Sequence, residues 1–121
     1  MYPPIVRLRE DGFEGKGMVP SDMTSPEAFT TADQTELIST HYESEDGSIT
    51  TGVWECAPSV EEIDAYPCNE MMTVLAGSVT ITDENGNAQT FAKGDTFFIA
   101  KGAKCTWTIT ETMKKFYMIA T

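Results

Sequence analysis

Two side chains carry most of the reactive chemistry that this sequence offers. Glu70 stands in the apolar stretch NEMMTVL, and Cys105 enters a strand-like stretch in GAKCTW. A carboxylate in an apolar strand is costly to bury unless it is paired, hydrogen-bonded or protonated. Lys115 and the hydroxyl groups of Tyr66 and Tyr117 are candidate partners. We therefore expect Glu70 either to contact a ligand, as a binding or acid–base group, or to belong to an internal salt bridge.

Cys105 has three interpretations. A thiol is a nucleophile or metal ligand only as the thiolate, so its pKa would have to be lowered. Lys104 faces the opposite side of a strand, and a nearby Glu70 would raise the thiol pKa. His41, the single histidine of the chain, could approach from an earlier strand. Cys105 is thus a metal ligand, a nucleophile, or a buried thiol that packs as a small apolar side chain.

Strand alternation predicts which polar side chains share a cavity, because residues two apart in a strand face the same side. The set expected to point inward is Asp64, Tyr66, Glu70 and Cys105. A one-residue change of register within residues 61–67 would turn Ile63 and Ala65 inward instead. The set mixes hard oxygen with soft sulfur donors, whereas imidazoles dominate at borderline metals. The donor types therefore favour a pocket without a metal.

Aromatic side chains accompany this set. Trp54, Trp107 and Tyr117 would form a flat wall for a ligand or simply pack in the core. His41 lies in the strand-like stretch ELISTHYE, where it is a pocket residue or is satisfied by a neighbouring group.

Charge and composition exclude several partners. The chain has 121 residues, a length typical of one domain, and a formal net charge of −11. Fourteen acidic residues and no Lys or Arg fall between Lys16 and Lys93. Such a field repels phosphate, so nucleic acid and anionic membranes are disfavoured as partners. The N-terminal stretch lacks the features of a secretory signal, and the three cysteines suggest neither a disulfide framework nor a zinc motif. We expect a cytoplasmic protein.

Short strands dominate the chain from Glu36 onward. Stretches rich in β-branched and aromatic residues alternate with turns such as Asn85-Gly86, which predicts about eight or nine strands in a sandwich or barrel. The predicted strands include ELISTHYE (36–43), ITTGVWEC (49–56), CTWTIT (105–110) and KKFYMIA (114–120). Residues 1–35 are punctuated by Pro, Gly and Ser. They predict an irregular N-terminal arm with a short strand at residues 5–9 and a helical turn near Glu27, followed by a β-barrel over residues 36–121.

Two spacings narrow the fold further. Glu70 lies seven residues before Gly77, and Gly94 lies eight residues before Gly102. With GVWEC, GDTFFIAKG and KKFYMI, they resemble the two signatures of the cupin superfamily, G-x5-H-x-H-x3-E-x6-G and G-x5-P-x-G-x2-H. The resemblance covers residues 36–120. It is most specific for small single-domain cupins related to the cupin domain of ureidoglycine aminohydrolase and, more distantly, to the ethanolamine-utilisation cupin.

The resemblance implies an all-β, RmlC-like jelly-roll barrel, a homodimer, and a ligand pocket in the barrel mouth. We expect the arm to pack on the partner or to exchange with it, which would protect a sheet edge. Cupins usually hold a divalent metal with three histidines and a glutamate. In this chain those four positions carry Asp64, Tyr66, Glu70 and Cys105, so the metal site is degenerate, and Glu70 and Cys105 are the candidate metal ligands.

Two functions follow from this resemblance. The first is a small-molecule-binding cupin without a functional metal, in which any catalysis is confined to pocket side chains. The alternative is a metal-dependent enzyme that acts on small polar nitrogenous metabolites, as ureidoglycine aminohydrolase does, with Glu70 and Cys105 as ligands. Fold analogy alone does not decide between them.

Overall fold

Strands account for most of the chain in the computed structural model, which describes residues 2–121. The strands in chain order are β1 (Val19–Pro20), β2 (Glu36–Glu43), β3 (Ile49–Cys56), β4 (Ser59–Ile63), β5 (Asn69–Asp83), β6 (Ala88–Ala92), β7 (Thr96–Ile99) and β8 (Cys105–Ala120). The 3₁₀ turn Pro26–Ala28 begins at a proline, whose fixed φ suits a first helical position. No helix among these residues combines the length and apolarity that crossing a membrane requires.

All pairings are antiparallel. The strand order is β1-β2-β3-β8-β5-β6, with β4 also paired to β8 and β7 also paired to β5. The two long strands, of 15 and 16 residues, can each serve several partners because register shifts bend their ladder between Val74 and Thr80. Gly77 lies at this bend with a φ of 69°, and a Cβ there would lie 2.1 Å from the carbonyl oxygen of Thr112. This explains why the first sequence signature requires a glycine here.

Alternation along these strands builds the barrel interior. Met72, Val74, Val79 and Met113 are at most 1% exposed and form the centre of the core, with the inward aromatic residues packed against them. The same alternation turns Thr73 and Met71 of β5 outward. The predicted all-β architecture is thereby confirmed.

The predicted strands at residues 36–43 and 49–56 coincide with β2 and β3. The stretches CTWTIT and KKFYMIA, predicted as two strands, form the single strand β8. Residues 5–9 form no strand, contrary to expectation. One reason is that Arg9 N–H donates to His41 Nε2 (3.1 Å), so this backbone donor bonds a side chain instead of a ladder carbonyl.

The N-terminal arm lies on the outer face of its own sheet. Phe13 N–H donates to Ser39 Oγ (2.7 Å), and the Phe13 ring stands edge-on to the His41 ring. Val53 on the neighbouring strand is consequently buried, at 0% exposure, although it faces outward. Residue 1 of the predicted arm lies outside the described residues, and the homodimer with arm exchange stays a prediction.

Candidate functional site

A cavity of about 410 Å³ opens between β2, β3, β4, β8, the start of β5 and the loop that precedes β5. Its size is typical of small-molecule sites, and its wall is mostly apolar. The lining includes aromatic, aliphatic or thioether, and polar side chains. The aromatic ones are Trp54, Tyr66, Trp107 and Tyr117; the aliphatic and thioether ones include Met23, Ile38, Ile63, Ile109 and Ile119; and the polar ones include Thr24, Glu61, Glu70 and Lys115.

The polar centre of this cavity consists of Tyr66, Glu70 and Lys115. Lys115 Nζ donates to Glu70 Oε2 at 2.8 Å and also reaches Met72 Sδ at 3.0 Å. Tyr66 Oη donates to Glu70 Oε1 at 2.6 Å. Both expected kinds of partner, the lysine and a tyrosine hydroxyl, therefore contact Glu70. The carboxylate is satisfied on both oxygens although it is only 5% exposed.

Two indole rings complete the environment of the lysine. Lys115 Nζ lies 4.8 Å from the ring centroid of Trp54 and 4.6 Å from that of Trp107. Both distances are within the range of cation–π attraction, which strengthens where water is excluded. The ammonium is thus held by one carboxylate and two π faces, while Trp107 Nε1–H has no acceptor among the described residues.

Tyr66 serves as a hydrogen-bond donor rather than as a phenolate. Burial and the neighbouring Glu70 carboxylate raise the pKa of the Tyr66 hydroxyl well above its usual range. Its proton therefore stays in place at neutral pH and fixes the orientation of Glu70.

The turn at Gly102 positions Tyr66. Gly102 N–H donates to the Tyr66 carbonyl, and Tyr66 N–H donates to the Ala103 carbonyl, both at 2.8 Å. Gly102 adopts a φ of 90°, which glycine tolerates best. The turn that precedes Cys105 thus fixes the backbone of Tyr66, a residue of the polar centre.

The sequence interpretation missed Glu36, a second buried carboxylate beside the cavity. It is 4% exposed and accepts hydrogen bonds from Ser21 Oγ (2.7 Å), Thr24 N–H (2.8 Å), Met23 N–H (3.2 Å) and Trp54 Nε1–H (2.9 Å). Burial raises its pKa, but the donors outweigh burial, and the net pKa lies below its ordinary value.

Glu36 holds a strap, residues 21–25, against the cavity. Met23 and Thr24 of this strap line the cavity, and Ser25 N–H approaches Glu61 Oε1 at 3.5 Å. One sequence signal could have revealed this arrangement: an acidic residue opens β2, and a Ser- and Thr-rich segment with donors to spare precedes it.

Asp64 and Cys105 do not reach this cavity. The strand ends at Ile63, and the following loop restarts the alternation, so that Ile63 and Tyr66 line the cavity while Asp64 is exposed. Cys105 is buried at the start of β8 and lines a second cavity of about 190 Å³, together with Asp64 and acidic neighbours. Burial raises the pKa of its thiol.

The other predicted site residues divide between the two faces of the sheet. Trp54, Trp107 and Tyr117 line the cavity and also belong to the core cluster, so the two interpretations of these aromatic residues coincide. His41 lies outside the cavity, at 0% exposure, beneath the arm. His41 follows Ser39 by two residues, so strand alternation places it on the outer face, where it accepts the Arg9 N–H.

The side chains at the usual metal position do not fit a metal. Glu70 already carries an ammonium on one oxygen and a hydroxyl on the other, and Cys105 faces a different cavity. Within residues 2–121, no three His, Cys, Asp or Glu side chains are grouped so that they could hold an ion. The ammonium of Lys115 thus bonds the Glu70 carboxylate, which a metal at this position would need as a ligand.

An antiparallel barrel of this topology, with its ligand-sized cavity lined from β5 and β8, defines the class of protein as a cupin. The family model of the EutQ-like cupin domain matches residues 43–117, and the chain belongs to that family. The predicted superfamily and fold are therefore confirmed. The chain matches no curated protein.

Solved structures agree with this assignment. A protein of unknown function of the DUF861 family from Pseudomonas syringae pv. tomato is 30% identical, with a TM-score of 0.72 over 85% of this chain; the chain spans 44% of that protein. A putative ethanolamine utilisation protein Q from Salmonella typhimurium is 18% identical, with a TM-score of 0.65 over 96% of this chain and 92% of that one. The EutQ protein of Clostridium difficile is 16% identical, with a TM-score of 0.61, over 79% and 78% respectively. The last two show the fold alone.

Proposed function

We propose that this cupin binds a small organic molecule in the 410 Å³ cavity, with the polar centre of Tyr66, Glu70 and Lys115 in place of a metal. Two of these residues, Tyr66 and Glu70, stand at positions where other cupins hold a metal. The centre would orient the polar end of the ligand, and the aromatic and aliphatic wall would cover its body.

The buried Lys115–Glu70 pair carries this proposal. Side chains of the two residues are only 6% and 7% exposed, so both have lost most of their hydration. Well-packed apolar residues in the place of a buried ion pair are often as stable or more stable. A buried pair on the wall of a ligand-sized cavity is therefore better explained by binding than by stability.

The alternative, a metal-dependent enzyme on nitrogenous metabolites, has no support in the donor set. It needs Glu70 and Cys105 around one ion, and they line different cavities. We therefore propose no metal-assisted step for this chain.

Intrinsic fluorescence offers a direct test. The chain has two tryptophans, Trp54 and Trp107, and both line the cavity. A library of small organic fragments is titrated while the emission and the melting temperature are recorded. We expect a subset of fragments to change the emission and to raise the melting temperature, since a ligand that binds only the folded state stabilises it.

Two variants locate the binding. Ile38→Phe adds bulk to the cavity wall and should weaken every hit, whereas Phe98→Ala changes an outer-face residue that is 60% exposed and should leave the hits unchanged. If no fragment changes the emission, or if the hits bind Ile38→Phe as well as the wild type, the proposed function is wrong.

A further inference from the structure

We propose that the cavity selects a ligand with a flat apolar body and an uncharged planar head in which a hydrogen-bond donor lies beside an acceptor, as in a primary amide or a lactam. This inference rests on the proposed function, because it specifies the ligand class of the same cavity.

The charge balance of the cavity disfavours a charged head. The charged residues of its lining are Glu61, Glu70 and Lys115, and the last two neutralise each other at 2.8 Å. An anionic head at Lys115 would also lie beside Glu70, and a cationic head at Glu70 would lie beside Lys115. In either case the charged head would lie beside a like charge in an apolar environment, and its burial would cost free energy.

The hydrogen-bonding capacity of the centre matches an amide edge. Lys115 has three N–H donors, of which one bonds Glu70 Oε2 and one reaches the weak acceptor Met72 Sδ. Glu70 accepts one bond on each oxygen, whereas a carboxylate can accept about four. Apart from the two indole faces, one N–H of Lys115 and part of the accepting capacity of Glu70 thus have no hydrogen-bond partner among the described residues, on two groups that lie 2.8 Å apart. An amide, whose C=O and N–H lie on one edge, pairs with both at once, and a ketone or an amine pairs with only one.

The walls favour a flat apolar body. The rings of Tyr66 and Trp107 are nearly parallel, at an interplanar angle of 10°, and the Trp54 ring stands at 85° to that of Trp107. Ile63 and Ile109 add aliphatic surface. Planar walls of this kind pack best against a planar partner, and their apolar area gains from excluding water.

A matched series of probes tests the head group. Benzamide, benzoate and benzamidinium share one ring and a planar head of similar shape, with charges of about 0, −1 and +1 at neutral pH, and toluene lacks the polar head. Binding to the full chain is measured by tryptophan fluorescence and by isothermal titration calorimetry. We expect benzamide to bind about tenfold more tightly than each of the others, which is the effect of one well-made polar contact.

A substitution in the centre should redirect the preference. Glu70→Gln keeps the shape of the side chain and leaves the charge of Lys115 without its partner, so benzoate should gain about tenfold relative to benzamide. The matched control is Glu55→Gln, because Glu55 pairs with Lys114 at 3.7 Å and is not part of the cavity lining. Its probe order should equal that of the wild type.

The outcomes separate this inference from the proposed function. If a charged probe binds the wild type best, or if all four probes bind alike, the ligand class is wrong while binding in the cavity stands. If the fragment library yields cavity ligands and none of the four probes binds, the ligand class is again wrong. If neither the library nor the probes bind, both proposals fail. The wild-type series decides the question even if Glu70→Gln does not fold.

Discussion

Two lysine–glutamate pairs lie side by side in this barrel, on opposite faces of strand β8. On the inner face, Lys115 of β8 pairs with Glu70 of β5 at 2.8 Å, and the side chains are 6% and 7% exposed. On the outer face, Lys114 pairs with Glu55 of β3 at 3.7 Å, and the side chains are 23% and 26% exposed. The lysines are consecutive residues, so strand alternation alone sends one ammonium into the cavity and the other towards the surface.

The two pairs differ in their net contribution to stability and in how rigidly their neighbours hold them. A pair that water can reach gains little net energy, because the charges are screened and the side chains lose entropy. The inner pair has paid a large desolvation cost and is supported by Tyr66, Met72 and two indole rings. The outer pair is thus a surface contact, and the inner pair is a preorganised polar centre that needs all of its members.

Removal of the inner lysine should have the largest effect. Lys115→Met leaves the Glu70 carboxylate buried without a counter-charge, and we expect a loss of about 3–5 kcal/mol in the free energy of unfolding. Chemical denaturation at neutral pH measures this loss.

The double variant Lys115→Met with Glu70→Gln is the control for that measurement. The neutral amide of Gln still accepts the Tyr66 hydroxyl and needs no cation, so most of the lost stability should return. A double variant that is as unstable as the single one would show that the packing of the lysine stem, rather than its charge, matters.

Glu36 contrasts with Glu70, because it is a buried carboxylate that forms no salt bridge with any cation of residues 2–121. Neutral donors from the strap and from Trp54 satisfy it. Glu36→Gln removes the charge and one acceptor oxygen, and we expect a loss of about 2 kcal/mol, since hydrogen bonds to charged groups exceed neutral ones. Denaturation curves of wild type and variant give the difference.

The pH dependence of this difference has a defined sign. The folded-state pKa of Glu36 lies below its ordinary value of 4.5, so its contribution is fully present above pH 4.5 and is lost as the pH falls through the folded-state pKa. The stability gap between wild type and Glu36→Gln should therefore be constant near neutral pH and narrow in acid. A gap that widens in acid would contradict the assignment of Glu36 as an ionised acceptor.

Strands and one part of the polar centre could be predicted from the sequence, whereas the positions of Asp64 and Glu36 could not. Alternation and turn residues sufficed for β2 and β3, and the apolar surroundings of Glu70 identified both kinds of partner that contact it. Alternation failed for Asp64, because β4 ends at Ile63 and the loop that follows shifts the phase of the alternation by one residue. Glu36 escaped notice because its donors come from irregular backbone at residues 21–24, whose conformation no periodic pattern specifies.

Removal of the outer lysine should have a small effect. Lys114→Met loses the contact to Glu55 and the bond from Nζ to the carbonyl of Glu10 in the arm, which measures 2.7 Å. We expect less than about 1 kcal/mol, decreasing further as salt is added. Denaturation at low and high ionic strength measures both. A loss that equals that of Lys115→Met would remove the distinction between the two faces.

Cys105 provides the smallest expected effect and tests whether an inward direction alone makes a residue part of the site. The thiol is buried, but it lines the second cavity, and burial raises its pKa, so the reactive thiolate is scarce at neutral pH. Alkylation mapped by mass spectrometry should be far slower at Cys105 than for a free model thiol.

Cys105→Ala should leave the cavity's probe affinities within about twofold of the wild type, the change expected of a residue that makes no contact with the ligand. Rapid alkylation would contradict the burial of the thiol, and a lost preference for benzamide in Cys105→Ala would show that Cys105 contributes to the site.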